Sequence, residues 1–73
     1  MKKYIIKIGG MYLTFLKTNF ECSDNEFIET LVLGKKRIAI KFNEVNAYNI
    51  SSKLYIILGV KCEVIEINET EDN

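Results

Sequence analysis

The chain contains no histidine, tryptophan, proline or glutamine, and Arg37 is its only arginine. Without histidine, no side chain has an ordinary pKa suited to general-base work at neutral pH. Cysteine is scarce as well: Cys22 and Cys62 are too few and too distant for a disulfide framework and form no CxxC pair. Lacking imidazole, the chain cannot assemble the four nitrogen or sulfur ligands of a structural zinc site, so both cysteines are expected as reduced, partly buried thiols. There is no GxSxG, no phosphate-cradling glycine loop and no activating partner for a serine or cysteine nucleophile. No catalytic residue, cofactor or metal is therefore expected. The carboxylate pairs Glu26 with Glu29 and Glu63 with Glu66 suit solvated strand faces at least as well as an acid–base dyad.

Long apolar runs are missing too. The N-terminal YII is broken at Lys7 with no small-residue cleavage site after it, and no segment approaches the roughly 20 apolar residues of a membrane span. A soluble protein of the cytoplasm is expected. Formal net charge is zero, which implies neither an acidic surface imitating nucleic acid nor a uniformly basic one for binding it. The charges instead alternate in blocks: Lys2, Lys3, Lys7 and Lys17, then Glu21, Asp24, Glu26 and Glu29, then Lys35, Lys36, Arg37 and Lys41, then an acidic C-terminus.

What is present is β-strand patterning. KYIIKI sets Tyr4, Ile6 and Ile8 opposite Lys3, Ile5 and Lys7, and Gly9-Gly10 supplies the positive backbone angles of a tight hairpin into Met11–Lys17. Thr18–Asn25 is polar and reads as a loop. Glu26–Leu33 and Arg37–Phe42 alternate again, predicting a second antiparallel hairpin through Gly34-Lys35-Lys36. Asn43 is a good N-cap, Glu44 favours the first-turn dipole, and Ala47, Ile50, Leu54, Ile57 and Leu58 recur at helical spacing up to Gly59, a left-handed stop. Ser51-Ser52 and Ile56-Ile57 oppose that helix. The competing reading makes Leu54–Leu58 a strand hairpinned into Val60–Ile67, and the protein all-β. Val60–Ile67 closes the sheet in either case. The favoured architecture is α+β, with four to five antiparallel strands in ββββαβ order packed against one helix. Residues 1–67 form one domain and 68–73 an acidic flexible tail, with Phe15, Phe27 and Phe42 in the core.

Two surfaces bear on function. The basic run Lys35, Lys36, Arg37 and Lys41, with Tyr12, Tyr48 or Tyr55 nearby, offers cations and stacking surfaces to nucleic acid. The same lysines equally serve to keep a turn soluble and blunt edge pairing. β-edges and tyrosines can also anchor a protein partner. Lys35, Lys36, Arg37, Lys41 and Tyr12 are the candidate partner-binding residues.

KYIIKIGGMYL, then AIKF, then Ala47, Ile50 and Leu54, and finally EVIEI together resemble a loose group of short phage and prophage proteins of low-GC Gram-positive bacteria. The resemblance implies an accessory protein that binds and blocks a bacterial defence protein, of the CRISPR type, or another host protein, without catalysis, as a monomer or small homo-oligomer in the host cytoplasm. A nucleic-acid-binding regulator and a sponge for a nucleotide signalling molecule are the alternatives.

Overall fold

The computed structural model describes residues 2–21 and 25–68. The first hairpin forms as its alternation dictates: β1 spans Lys2–Ile8, β2 spans Met11–Phe20, and Gly9 takes a φ of 63° in the turn. β2 outruns the expected loop boundary. Thr18, Asn19 and Phe20 pair with Ile28, Phe27 and Glu26 of β3, Glu26–Gly34, because cross-strand contacts between β-formers outweigh the polar composition there. Of the rest of that expected loop, Glu21 and Asn25 are joined by a backbone hydrogen bond at 2.9 Å, while 22–24 and the acidic tail at 69–73 lie outside the described residues; Asn68 ends a strand.

The second hairpin is different from the expectation. Arg37–Phe42 does not pair with β3; Lys36–Ile38 makes one 3-10 turn, and Ile40–Phe42 enters the fork between β1 and β2. The Ile40 N–H donates to the Leu13 carbonyl at 3.0 Å, and Phe42 exchanges both backbone hydrogen bonds with Tyr4 at 2.8 Å. The reason lies in β2. β1 and β2 stay in register only beside the turn, and a register shift between Leu13 and Phe15 turns β2 away, leaving backbone groups of both strands in need of partners. AIKF supplies them. The ββββαβ plan thus survives with its fourth strand reduced to a single bridge, in a four-stranded antiparallel sheet ordered β3-β2-β1-β4.

The helix α1, Glu44–Leu58, removes the all-β alternative. The Asn43 side chain accepts the Asn46 N–H at 2.8 Å, and Gly59, at φ 70°, donates its N–H to Tyr55 at 2.8 Å. β4, Glu63–Asn68, then returns antiparallel along β1 with Ile65 opposite Ile5. The protein is α+β, with α1 against β1 and β4.

Ile5 and Ile6 point to opposite faces of β1 and both are buried, as are Leu13, Ala39, Ala47 and Leu54. The core therefore sits where β1, the wedge formed by residues 39–42 and the helix meet. Phe15 and Phe27 are not in it. The register shift at Thr14 sets Phe15 opposite Val32, on the side of the sheet away from the helix, and it is 50% exposed. Phe27 is exposed opposite Asn19, and Phe42 is the one of the three that is not exposed.

Candidate functional site: a cation-rimmed sheet face

Tyr12 lies directly opposite Gly34 on one side and Lys7 on the other, with the Lys7 ammonium 5.9 Å from the centre of its ring. β3 runs from Gly34 straight into Lys35 and the 3-10 turn Lys36–Ile38, so the basic run begins one residue beyond the position paired with Tyr12. Gly34 makes this turn possible. A Cβ there would stand 3.0 Å from Thr14 Cγ2 and 3.3 Å from Ile38 Cδ1. Its absence lets Ile38 fold back over the strand end while Thr14 Oγ1 donates to the Val32 carbonyl at 3.0 Å. Lys35, Lys36 and Arg37 are exposed and make no ion pair among the described residues. Lys41 is exposed in the wedge, between half-buried Ile40 and Phe42.

The sequence reading missed the apolar half of this surface. Phe15 and Val32 are cross-strand neighbours, both exposed, on the outer face of the β2/β3 ribbon. Lys17 and Asn19 reach Glu29 across the same face at 3.5 and 3.2 Å, and Phe27 lies beyond them. Simple alternation points Phe15 with Leu13 into the core. Only the register shift reveals otherwise, and nothing local in the sequence announces it.

Neither carboxylate pair forms a dyad, because residues three apart on a strand point to opposite faces. Glu26 faces the helix and accepts from Lys53 Nζ at 3.0 Å, whereas Glu29 faces outward to Lys17. The Lys53 hydrogen bond, then that of Thr18, holds the Glu26 carboxyl below its ordinary value. Glu66 meets Lys2 at 3.4 Å, and Glu63 lies opposite Lys7. Burial pushes the Cys62 thiol up, against a hydrogen bond from Ser51. Burial, then the Glu44 carboxylate, likewise raises the Tyr4 phenol.

One open cavity of about 530 Å³ lies beside Glu26, Lys53 and Ile57; a shallower one of about 380 Å³ lies between Tyr48, Tyr55 and Lys61. Each is lined by one cation, so neither makes a phosphate cradle. Among the described residues no three metal-ligating side chains cluster, and no helix is long and apolar enough to cross a membrane.

These features define a small α+β protein whose outer sheet face carries aromatic and apolar side chains beside a cationic turn. Comparison with protein-family models, curated proteins and solved structures finds no match for the chain.

Proposed function

We propose that this is a small non-catalytic inhibitor of the phage type, which binds a bacterial defence protein, of the CRISPR type, or another host protein and blocks it. The observation that carries the reading is the outer sheet face. Tyr12, Phe15 and Val32 supply rigid apolar contact area, and Lys35, Lys36 and Arg37 stand at its edge without described ion-pair partners. Interfaces concentrate affinity in such aromatic anchors, and rim charges select and steer the partner. The complementary surface is an apolar pocket bordered by carboxylates.

The test is a phage-challenge assay in cells carrying a CRISPR-type nuclease, with and without the protein. Restored phage growth that is lost in Phe15→Ser and in the double variant Lys36→Glu, Arg37→Glu supports the reading. Unchanged immunity, with no stoichiometric partner in pull-downs from several host lysates, overturns it. Restored growth that survives both variants moves the binding face elsewhere.

The Lys7 ammonium over the Tyr12 ring, with the exposed run Lys35, Lys36 and Arg37 following the strand position opposite Tyr12, favours nucleic acid as a second reading. Retention on DNA whose affinity falls log–log with salt, with a slope of about −0.9 per phosphate contacted, supports it. No retention at low salt removes it.

A further inference from the structure

The outward face of α1 carries no charge. With Ser52 as reference, helical geometry places Val45, Tyr48, Asn49, Tyr55 and Ile56 within about 60° of it, while Ala47, Ile50, Leu54 and Ile57 point the opposite way, into the sheet. The only charged residues of α1 are Glu44 and Lys53, both off this face, and Lys53 is turned to Glu26. Val45 is 68% exposed, Tyr48 54%, Tyr55 56% and Ile56 76%. A helix apolar on both sides is one that has a partner on both sides.

We propose that this face is the interface of a homodimer in which two copies of α1 pack antiparallel about a two-fold axis at Ser52. The distribution of side chains is self-complementary, which a two-fold contact requires. Tyr48 stands four residues before Ser52 and Ile56 four after it, so each copy's Tyr48 meets the other's Ile56; Asn49 and Tyr55 pair in the same way. Val45, seven before, falls against Gly59, seven after, whose missing side chain leaves it room. Ser52 is the smallest side chain on the face and stands where two helices must approach most closely. Beside it, Ser51 and Ser52 floor the shallow cavity between Tyr48, Tyr55 and Lys61, a socket for a ring of the second copy. The antiparallel arrangement also sets each helix N-terminus against the other's C-terminus.

The area suffices. At the exposures above, four large side chains with Asn49 and Ser52 present on the order of 500–600 Å² per copy, so a contact that covers them fully buries about 1,000–1,200 Å² in total, the lower bound of a specific interface. Of the two sheet edges, β3 and the six-residue β4, the longer one, β3, is disfavoured for self-association by its own geometry. A symmetric antiparallel pairing needs residues equidistant from the axis to share a face, and the register shift between Lys17 and Thr18 puts the two halves of β3 out of phase.

The experiment is sedimentation of the full chain over about 1–500 µM, the range in which so small an interface associates. A concentration-dependent rise from 8.5 kDa to twice that mass is expected. Ser52→Arg, at an exposed position, should leave the circular dichroism spectrum intact and raise the dimer Kd at least about a hundredfold, because two unpaired charges meet at the axis. In a background of Cys22→Ser and Cys62→Ser, Ser52→Cys should cross-link to a dimer under oxidised glutathione, while Asn46→Cys, on the flank of α1, should not. A monomer at every concentration overturns the proposal. So does a dimer that persists in Ser52→Arg, or one that cross-links equally well through Asn46→Cys.

Discussion

Replacing Leu54 by alanine and, separately, Phe15 by alanine tests the register shift in β2 directly. Leu54 is 0% exposed and packs where α1 meets β1, so its truncation leaves a cavity and costs about 2–5 kcal/mol. Phe15 is 50% exposed; the half it buries is worth roughly half the 1.5–3 kcal/mol of a fully buried large side chain, or about 1 kcal/mol. At roughly 0.05–0.15 kcal/mol per residue, a chain of 73 residues has about 4–11 kcal/mol in total. Leu54→Ala should therefore remove a large fraction of the stability and Phe15→Ala little. In urea titrations followed by circular dichroism, the midpoint should fall at least twice as far for Leu54→Ala, with m unchanged. Equal losses would show that Phe15 is core and that β2 alternates without a shift. A loss below about 1 kcal/mol for Leu54→Ala would show that α1 is not docked on the sheet.

Other perturbations follow from the ends of α1 and from the two shifted titrations. Within one copy Gly59→Ala meets no neighbouring atom, so at monomer concentrations its cost is the left-handed backbone alone, about 1–2 kcal/mol, read as a lower thermal midpoint. Asn43→Ala removes the cap on Asn46 and should cost about 1 kcal/mol in the same assay, whereas Asn43→Ser should be close to neutral. Because the folded state lowers the Glu26 pKa, that carboxylate contributes stability that is complete above the ordinary carboxylate value and is lost as pH falls through the lowered one. The urea midpoint of the native chain should thus drop further between pH 7 and pH 3 than that of Glu26→Gln; parallel profiles would refute the Lys53 contact. In a Cys22→Ser background, burial should make Cys62 react with a thiol reagent more slowly at pH 8 than an unstructured cysteine does, and urea should abolish the difference.

Elements whose signals are local were legible in the sequence. The Gly9-Gly10 hairpin, Asn43 as cap and Gly59 as stop are each decided within a few residues, and each is found as expected. Ser51-Ser52 and Ile56-Ile57 oppose the helix by propensity alone, and tertiary packing overrides them: Ala47 and Leu54, buried on the sheet side, outweigh them. Arg37–Phe42 departs from its expected pairing with β3 for a different reason. Its alternation states that it wants a partner on either side, but not which one, and the fork opened by β2 lies more than twenty residues upstream. The proposed binding residues divide along the same line. Lys35, Lys36 and Arg37 are visible as a run, and Tyr12 as an aromatic near a turn. Phe15 and Val32 join them only through a register that no local pattern encodes.

The two unpartnered surfaces lie in opposite layers, and this relates the proposed dimer to the proposed inhibitor. Glu26, on the helix side of the ribbon, reaches Lys53, whereas Phe15, Lys17 and Glu29 point away from the helix. A contact through the outer face of α1 buries none of Tyr12, Phe15, Val32 or the turn at Lys35–Arg37. Two copies joined by their helices therefore present two cation-rimmed faces pointing in opposite directions. Such a dimer cannot place both faces on one flat target, but it can bridge two copies of a partner or two sites that face each other across a cleft, and avidity then depends on that geometry. The small core fits the same logic. With Ile5, Ile6, Leu13, Ala39, Ala47 and Leu54 carrying the fold, each apolar face covered by a partner adds stability that so short a chain has little means of supplying by itself.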